Sequence, residues 1–170
     1  MSTIAAMSLQ LVRGGPGHNE LLSPLTPYVG LCGRHGVSTI HLPWEHHELD
    51  RAVARLRYTQ SDGAGGSTTT SPADRAHTLS QLGQQIGAML DQFGGLGAEL
   101  RQAEAAAGPE GLIHLRIRQW GNELSLIPFE IAVSPRGLPG EGHRLALKTQ
   151  SPVCITREVL GAHSTPVKWD

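Results

Sequence analysis

The stretch LIHLRIRQW, from Leu112 to Trp120, decides the fold because its side chains from Ile113 to Arg118 alternate between apolar and polar. The apolar members of this pattern are Ile113, Leu115 and Ile117. The polar members are His114, Arg116 and Arg118. Side chains two residues apart lie on the same face of an extended strand. The pattern therefore predicts a strand with one face in the core and the other in contact with solvent.

The residues after this strand carry turn signals. Gly121 and Asn122 predict a turn, and the run 124–133 contains Pro128. Because proline has no backbone N–H for a sheet ladder, a central strand is excluded, and a strand end that leads into a short helix is predicted. The run 134–142 is rich in glycine and proline and predicts a loop.

The C-terminal part of the chain predicts short elements and a tail. Two short strands, 145–147 and 153–155, are predicted on either side of Pro152. Residues 161–170 show no periodicity, so a tail or linker is expected there.

Helical periodicity precedes the alternating strand. Ser71 and Pro72 are typical of a helix start, because serine caps the first N–H groups and the fixed φ of proline suits the first turn. The helix is predicted to reach about residue 93, since apolar residues recur at three- and four-residue spacing. They are Leu79, Leu82, Ile86, Met89, Leu90 and Phe93. A further helix, 96–107, is predicted to stop at Gly108.

The N-terminal third combines all three kinds of pattern. Alternation predicts a strand over 6–13, and a β-branched run predicts another over 37–42. Apolar residues at helical spacing predict a helix over 44–58. The segment 18–36 is rich in proline and glycine and predicts a loop, with a short helical turn around 19–22.

Together these elements predict one α+β domain over residues 1–160, a mixed β-sheet with two or three helices packed on it. The sheet is expected to combine the first strands, a hairpin region near 112–133 and the terminal strands, with the first two helices covering one face. The polar run SDGAGGSTTTS, residues 61–71, has nothing to bury and predicts a flexible surface loop.

Composition narrows the class of function. The chain has 170 residues, and 14 Lys and Arg against 15 Asp and Glu give a net charge of −1. A nearly neutral chain with 4% aromatic residues lacks the basic field and the stacking platforms of nucleic-acid-binding proteins. No run approaches the ~20 apolar residues of a membrane span. We therefore expect neither a nucleic-acid partner nor a membrane.

The cysteine content indicates a compartment, and the ratio of lysine to arginine indicates a type of genome. Cys32 and Cys154 are too few for a disulfide framework, and no signal-peptide pattern opens the sequence, so a cytoplasmic location is expected. Lysine is rare and arginine common, which is typical of GC-rich bacterial genomes.

The second half of the chain has a specific order of segments. The helix LGQQIGAMLDQF leads through a glycine-rich break to the strand LIHLRIR, then to ELSLIPFEIAV, and after a loop to LALKTQSPVCITREV. This order resembles the region that precedes the protease core in CHAT domains, the caspase-like domains associated with tetratricopeptide repeats. There, a Leu-Pro-Trp-Glu-type motif is followed by a short strand ending in arginine. The matching positions, with Phe in place of the usual Trp, are Ile127, Pro128, Phe129, Glu130 and Arg157.

The resemblance implies structural roles for these five residues. In the family, the catalytic His-Gly segment and the nucleophilic cysteine lie on later strands, and the sequence is expected to lack that core. The resemblance therefore implies that the chain is a non-catalytic accessory or scaffold module of a CHAT-type caspase-like protease system. Such a module docks a protein, either the protease core or another component of a bacterial conflict system, through an exposed strand edge or an arginine-bearing face. No cofactor is implied.

The alternative interpretation is a small hydrolase that depends on a cysteine or a metal. His35 and Cys154 are its candidate dyad, because a thiolate nucleophile needs a base within hydrogen-bond reach. Cys154 lies in a β-branched run, which favours an inert thiol. Cys32 and His35 have the spacing of metal ligands, but no second Cys/His pair follows at the usual distance.

A cluster of histidines and acids carries the metal version of this alternative. Its members are His41, Glu45, His46, His47 and Glu48. On a helix, His46 would share a face with Asp50 at i and i+4, which is suitable for a transition metal with an outside ligand. A solvated helix start is favoured instead, because the apolar residues from Leu49 onward are expected to face the core, which leaves His46 and Asp50 directed outward. Acidic residues are also favourable near the positive N-terminal end of the helix dipole. No metal is therefore expected.

Two further features allow both structural and functional interpretations. Glu130 lies between Phe129 and Ile131, and pairing with an arginine such as Arg157 is favoured over catalysis because no second convergent acid or base is evident. Arg116 and Arg118 form a candidate interaction face. Pairing with the acidic helices of residues 74–107 is the favoured use of these arginines.

Overall fold

The computed structural model describes residues 3–14, 20–57, 59–61, 67–147 and 152–160. In chain order, the elements are β1 (Ile4–Arg13), β2 (Tyr28–Cys32), β3 (Ser38–Ile40), α1 (His46–Arg55), β4 (Thr59–Ser61), β5 (Ser67–Thr69), α2 (Pro72–Asp91), α3 (Leu96–Ala107), β6 (Leu112–Trp120) and β7 (Val153–Leu160). Three short 3₁₀ turns, Asn122–Leu126, Phe129–Ile131 and Leu145–Leu147, lie between β6 and β7.

The main sheet is mixed and has five strands in the order β3-β2-β1-β6-β7. Strands β1, β6 and β7 run parallel to one another, whereas β2 is antiparallel to β1 and to β3. With three α-helices packed beside this sheet, the described chain has the predicted α+β class.

One face of the sheet forms the core. The apolar side chains of the alternating strand, Ile113, Leu115 and Ile117, are at most 1% exposed, as their pattern predicts. Their neighbours on β1, among them Leu9 and Leu11, are fully buried. Helix α3 lies on β1 and β6, while α2 packs against α1 and the turn Phe129–Ile131. Helices therefore cover this face, with α3 rather than the first two helices making the main contact with the strands.

Helix α2 approaches the following chain through two glycines. The Val133 N–H donates to the Gly83 carbonyl at 2.9 Å, which holds residues 131–133 against the helix. A Cβ atom at Gly87 would lie 2.1 Å from the Val133 carbonyl oxygen, and one at Gly83 would lie 2.6 Å from that of Ile131. Only glycine allows this close approach of backbone to backbone.

The helix boundaries agree closely with the sequence prediction. Ser71 caps α2, since its hydroxyl oxygen accepts the Asp74 N–H at 3.1 Å. Helix α3 spans the predicted 96–107 and ends at Gly108, where φ is +72°. None of the helices in the described residues is long and apolar enough to cross a membrane.

The prediction of a loop over 18–36 is wrong, because it contains β2. Tyr28 and Cys32 point into the core, and Gly30 lies between them on the same side. A Cβ at Gly30 would meet Ile40 at 2.6 Å and Phe93 at 2.9 Å, so glycine is what lets this strand pack. The helical turn predicted around 19–22 is also absent from the described residues 20–22.

The predicted hairpin near 112–133 does not form. Gly121, with φ at +139°, takes the chain out of the sheet, and two 3₁₀ turns follow where a strand end was predicted. Likewise, 145–147 is a 3₁₀ turn rather than a strand, and β7 is one strand of eight residues. Pro152 immediately precedes β7, where its carbonyl still accepts the Ile113 N–H at 2.9 Å.

The segment 61–71 is not wholly a loop. Strands β4 and β5 pair antiparallel in a separate two-stranded sheet, consistent with the β propensity of threonine. Residues 62–66 and the predicted tail 161–170 lie outside the described residues.

Candidate functional site

A cavity of about 560 Å³ lies where β6 ends and along the last half of β7. It is lined by Gln119, Ser125, Glu130, Thr156, Arg157 and Val159. In sheets with parallel strands, ligands commonly bind beyond the carboxyl ends of the strands. This cavity occupies such a position.

One wall of the cavity is held by Arg157. Its Nε lies 2.8 Å from Glu130 Oε1, which is the pairing favoured from the sequence. Its Nη1 donates to the carbonyl oxygens of Ser125 at 2.8 Å and Ile127 at 3.3 Å. One guanidinium thus connects β7 to the two 3₁₀ turns that follow β6. The planar guanidinium can make these contacts together because its N–H donors point in several fixed directions.

The motif residues between these contacts are mainly core. Ile127 and Phe129 are fully buried, and Pro128 is half-buried. The structure therefore brings the five residues Ile127, Pro128, Phe129, Glu130 and Arg157 together. Their side chains offer packing and one ion pair rather than a nucleophile.

Gln119 is a further polar group of the cavity and was not among the residues predicted from the sequence. It is 0% exposed, and neither Nε2 nor Oε1 of its amide has a hydrogen-bond partner in the described chain. Leaving a buried polar group unpaired costs about 1–3 kcal/mol. On the core side of the sheet, Gln119 lies between Leu11 of β1 and Val159 of β7.

A second buried polar cluster closes the neighbouring end of the sheet. Glu123 Oε1 accepts hydrogen bonds at 3.2 Å from Arg13 Nη1 and from the Tyr28 hydroxyl. Burial, and next the Glu123 carboxylate, raise the pKa of Tyr28 well above its usual range, so the phenol remains a donor. All three groups are satisfied, and the cluster fixes β1, β2 and the turn after β6 relative to one another.

The polar face of the sheet lies opposite the helices. Arg116 Nε donates to Glu158 Oε1 at 2.9 Å, Arg116 Nη2 also contacts that oxygen, and Arg118 Nε donates to Glu158 Oε2 at 3.0 Å. These hydrogen bonds hold the pKa of Glu158 below its usual value. The predicted pairing of the arginines with the acidic helices is therefore wrong. The helices pack on the opposite face, and the neighbouring strand supplies the acid.

This open face is defined by the side chains of Ser8, Gln10, Val12, His114, Arg116, Arg118, Cys154, Thr156 and Glu158. In the described residues it remains partly or fully exposed. Parallel strands are usually covered on both faces, because their crossover connections place helices there. Within the described residues, the three parallel strands thus carry a helical layer on one face only.

The structure does not bring the proposed catalytic dyad together. His35 follows β2, where its Nε2 lies 3.5 Å from Glu99 Oε1, and Cys154 lies exposed on β7. Strands β1 and β6 lie between them, a lateral separation of about 14 Å for three inter-strand spacings. Cys32 is buried, and burial together with the Glu99 carboxylate raises the pKa of its thiol to about 11. Neither thiol has the arrangement of an activated nucleophile.

The His41–His47 segment leads into α1, which begins at His46. The backbone N–H and carbonyl of His41 both bond to the Gln92 side-chain amide, at 2.7 and 3.0 Å. The Glu45 N–H donates to Glu48 Oε2 at 3.0 Å, and His46 Nδ1 accepts the Leu22 N–H at 3.4 Å. No group of three or more His, Cys, Asp or Glu side chains that could hold a metal is found in the part of the chain that the structure describes.

The sequence did contain the signal that identifies Gln119. The alternation that places Ile113, Leu115 and Ile117 in the core continues by two residues to Gln119, which places a polar amide on the apolar face. Glu123 carried no comparable signal, because its partners Arg13 and Tyr28 are distant in sequence.

Comparisons with family models, curated proteins and solved structures give no match to this chain.

Proposed function

We propose that this chain is a non-catalytic docking module of a CHAT-type caspase-like protease system in the bacterial cytoplasm. The proposal starts from the sequence resemblance of 127–130 and Arg157 to the pre-protease region of CHAT domains. The contacts of Arg157 with Glu130 and with the turn carbonyls support a structural role for these residues. They lock β7 against the preceding turns and so present a rigid sheet.

The open face of the parallel strands is the observation that carries the docking function. Three adjacent parallel strands are covered by helices on one side, while the described residues leave the other side in contact with solvent. A docked partner supplies the missing layer, since such sheets are ordinarily buried on both faces. Arg116 and Arg118 are preorganised by Glu158 and keep exposed guanidinium surface for an acidic partner.

The absence of catalysis is part of the proposal. His35 lies in the turn after β2 and Cys154 on β7, two strands that are not neighbours, and Cys32 holds a buried thiol with a raised pKa. The His46 ring accepts the Leu22 N–H, and the His41 backbone bonds to the Gln92 amide, so both residues have local structural contacts. These arrangements favour a binding module over a hydrolase.

A binding titration tests this function. The proposed partner is a CHAT-type protease, and the open face is altered with the double variant R116E/R118E. Arg136, an exposed arginine in the loop before β7, provides the matched charge reversal R136E. Binding is expected to be lost in the double variant and kept in R136E. Thiol-dependent hydrolysis that disappears in C154A would contradict the proposal.

A further inference from the structure

Strand β7 is an outermost strand of the main sheet and pairs with β6 along one side. The Ile113 N–H donates to the Pro152 carbonyl, so the parallel register directs the backbone groups of even-numbered residues of β7 towards β6. The N–H and carbonyl groups of Ile155, Arg157 and Val159 therefore point outward. No backbone partner for them occurs among the described residues. An extended chain can pair with such an edge.

A groove runs beside this edge. We call it the edge groove and define it by Gln119, Ser125, Glu130, Arg157 and Val159, which are lining residues of the cavity at the end of β6. Two of them, Arg157 and Val159, also carry outward-facing backbone groups. The groove is wide open to solvent along the edge and has a volume of about 560 Å³. The groove therefore has room for a side chain of a strand that pairs with β7.

The chemistry of the groove selects a neutral amide. Gln119 contributes to the groove lining an amide with two N–H donors and one carbonyl acceptor; both polar atoms are buried just beneath the groove surface, and neither has a partner in the described chain. A second amide complements this set, because it accepts one hydrogen bond and donates another. Glu130 and Arg157 neutralise each other at 2.8 Å, so the wall has no net charge to attract an ionised ligand.

We propose that the edge groove binds an extended peptide segment of a partner protein by strand addition to β7, and that Gln119 recognises an asparagine or glutamine side chain of that peptide. Main-chain hydrogen bonds to β7 supply affinity, and the amide pair supplies specificity. The inference depends on the proposed docking function in one respect, namely that the bound peptide is a segment of a partner protein. It assigns a site at the edge of the sheet that adjoins the open face at Thr156 but does not include Arg116 or Arg118.

The groove is probed with a displayed library of random ten-residue peptides, selected on the native full-length chain. The recovered peptides are expected to carry Asn or Gln at one fixed position. Their binding is measured by calorimetry against Q119L, with Q10L as the matched control on the exposed side of β1. Loss of the amide pair is expected to weaken binding about tenfold or more in Q119L and to leave Q10L unchanged.

A proline substitution tests strand addition separately. V159P removes one outward-facing N–H, and proline is tolerated on an edge strand because the groups that pair with β6 remain. Peptide binding is expected to fall while the melting temperature is retained. Q119L is expected to melt at or above the wild-type temperature, because an unpaired buried amide is removed. A lost signal therefore does not reflect unfolding.

The outcomes separate this inference from the proposed function. Selected peptides that bind Q119L and V159P as tightly as the wild type would overturn the edge groove, as would a selection that yields no binder. If the protease still binds in a manner sensitive to R116E/R118E, the docking function survives that failure. A wild-type dimer in light scattering that V159P converts to monomer would assign the edge to a second copy and would also overturn the inference.

Discussion

Arg157 Nε lies 2.8 Å from Glu130 Oε1, and the same guanidinium donates to two backbone carbonyls of the preceding turns. The ion pair itself is exposed, with 35% and 44% of the two side chains accessible, so water screens most of its attraction. The carbonyl contacts are what Arg157 adds beyond the charge pair. The two residues therefore differ in what their removal costs.

The first prediction compares these two residues. R157A is expected to lower the free energy of unfolding by about 1–2 kcal/mol, because it abandons two carbonyl acceptors as well as the ion pair. E130Q is expected to cost less than about 1 kcal/mol, which is typical of an exposed pair. Urea denaturation measures both. R136A serves as the control and is expected to be neutral, while an E130Q effect as large as that of R157A would contradict the carbonyl contacts.

The second prediction concerns the close approach of α2 to residue 133. G87A would place a methyl group 2.1 Å from the Val133 carbonyl oxygen. Overpacking of this kind costs about 1–3 kcal/mol, which outweighs the gain of about 1 kcal/mol that alanine brings to a helix. The melting temperature is expected to fall. G36A is the control, because no atom lies within 4 Å of a Cβ built at Gly36. A stabilised G87A would contradict the backbone approach.

The third prediction concerns the two thiols. Cys154 is exposed, whereas Cys32 is buried with a thiol pKa of about 11. Iodoacetamide at pH 7.5 is expected to modify Cys154 first, and Cys32 at least about 100-fold more slowly, since access requires local unfolding. Peptide mass spectrometry resolves the two sites. Equal rates in the native protein would show that Cys32 is not in the core.

The raised pKa of Cys32 also has a consequence for stability. Because the folded-state pKa lies above the ordinary value of 9.0, the unfolded thiol ionises first as pH rises. The contribution of Cys32 is therefore complete below about pH 9 and is lost as pH rises towards 11. Thermal melts of wild type and C32A are expected to converge over this interval. A constant difference would contradict the burial of the thiol.

The fourth prediction follows from Glu158 in the acid range. Arg116 and Arg118 hold the folded-state pKa of Glu158 below its ordinary value of 4.5. The contribution of ionised Glu158 to the stability of the folded state is thus complete above the unfolded-state pKa and is lost as pH falls through the lower folded-state pKa. The stability difference between wild type and E158Q is expected to shrink between pH 6 and pH 3. E110Q, at an exposed turn, should show no such trend, and a pH-independent E158Q difference would contradict the arginine contacts.

Local sequence signals predicted where helices and strands lie, but not which elements pack against each other. The alternation of Leu112–Trp120 and the cap at Ser71 predicted β6 and the start of α2, because each depends on residues close in sequence. Strand β2 was missed because its Gly30 is indicative of a turn, although tertiary packing against Ile40 and Phe93 requires glycine there.

The contacts of the candidate site depend on the order of strands in the sheet, which could not be predicted from the sequence patterns. Arg116 and Arg118 pair with Glu158 because β7 lies directly beside β6, and a sequence pattern cannot specify that neighbour. Gln119 could have been found by extending the alternation by two residues. Its unpaired state could not, because it depends on which groups from β1, β7 and the following turns surround it.

The most direct test of the docking function is a calorimetric titration of the proposed partner, a CHAT-type protease, with this chain and its R116E/R118E and R136E variants. A saturable complex is expected with wild type and R136E and at least a tenfold weaker one with R116E/R118E, while circular dichroism shows all three folded. No complex with the wild-type chain, or equal affinity for all three proteins, would contradict docking through the open face.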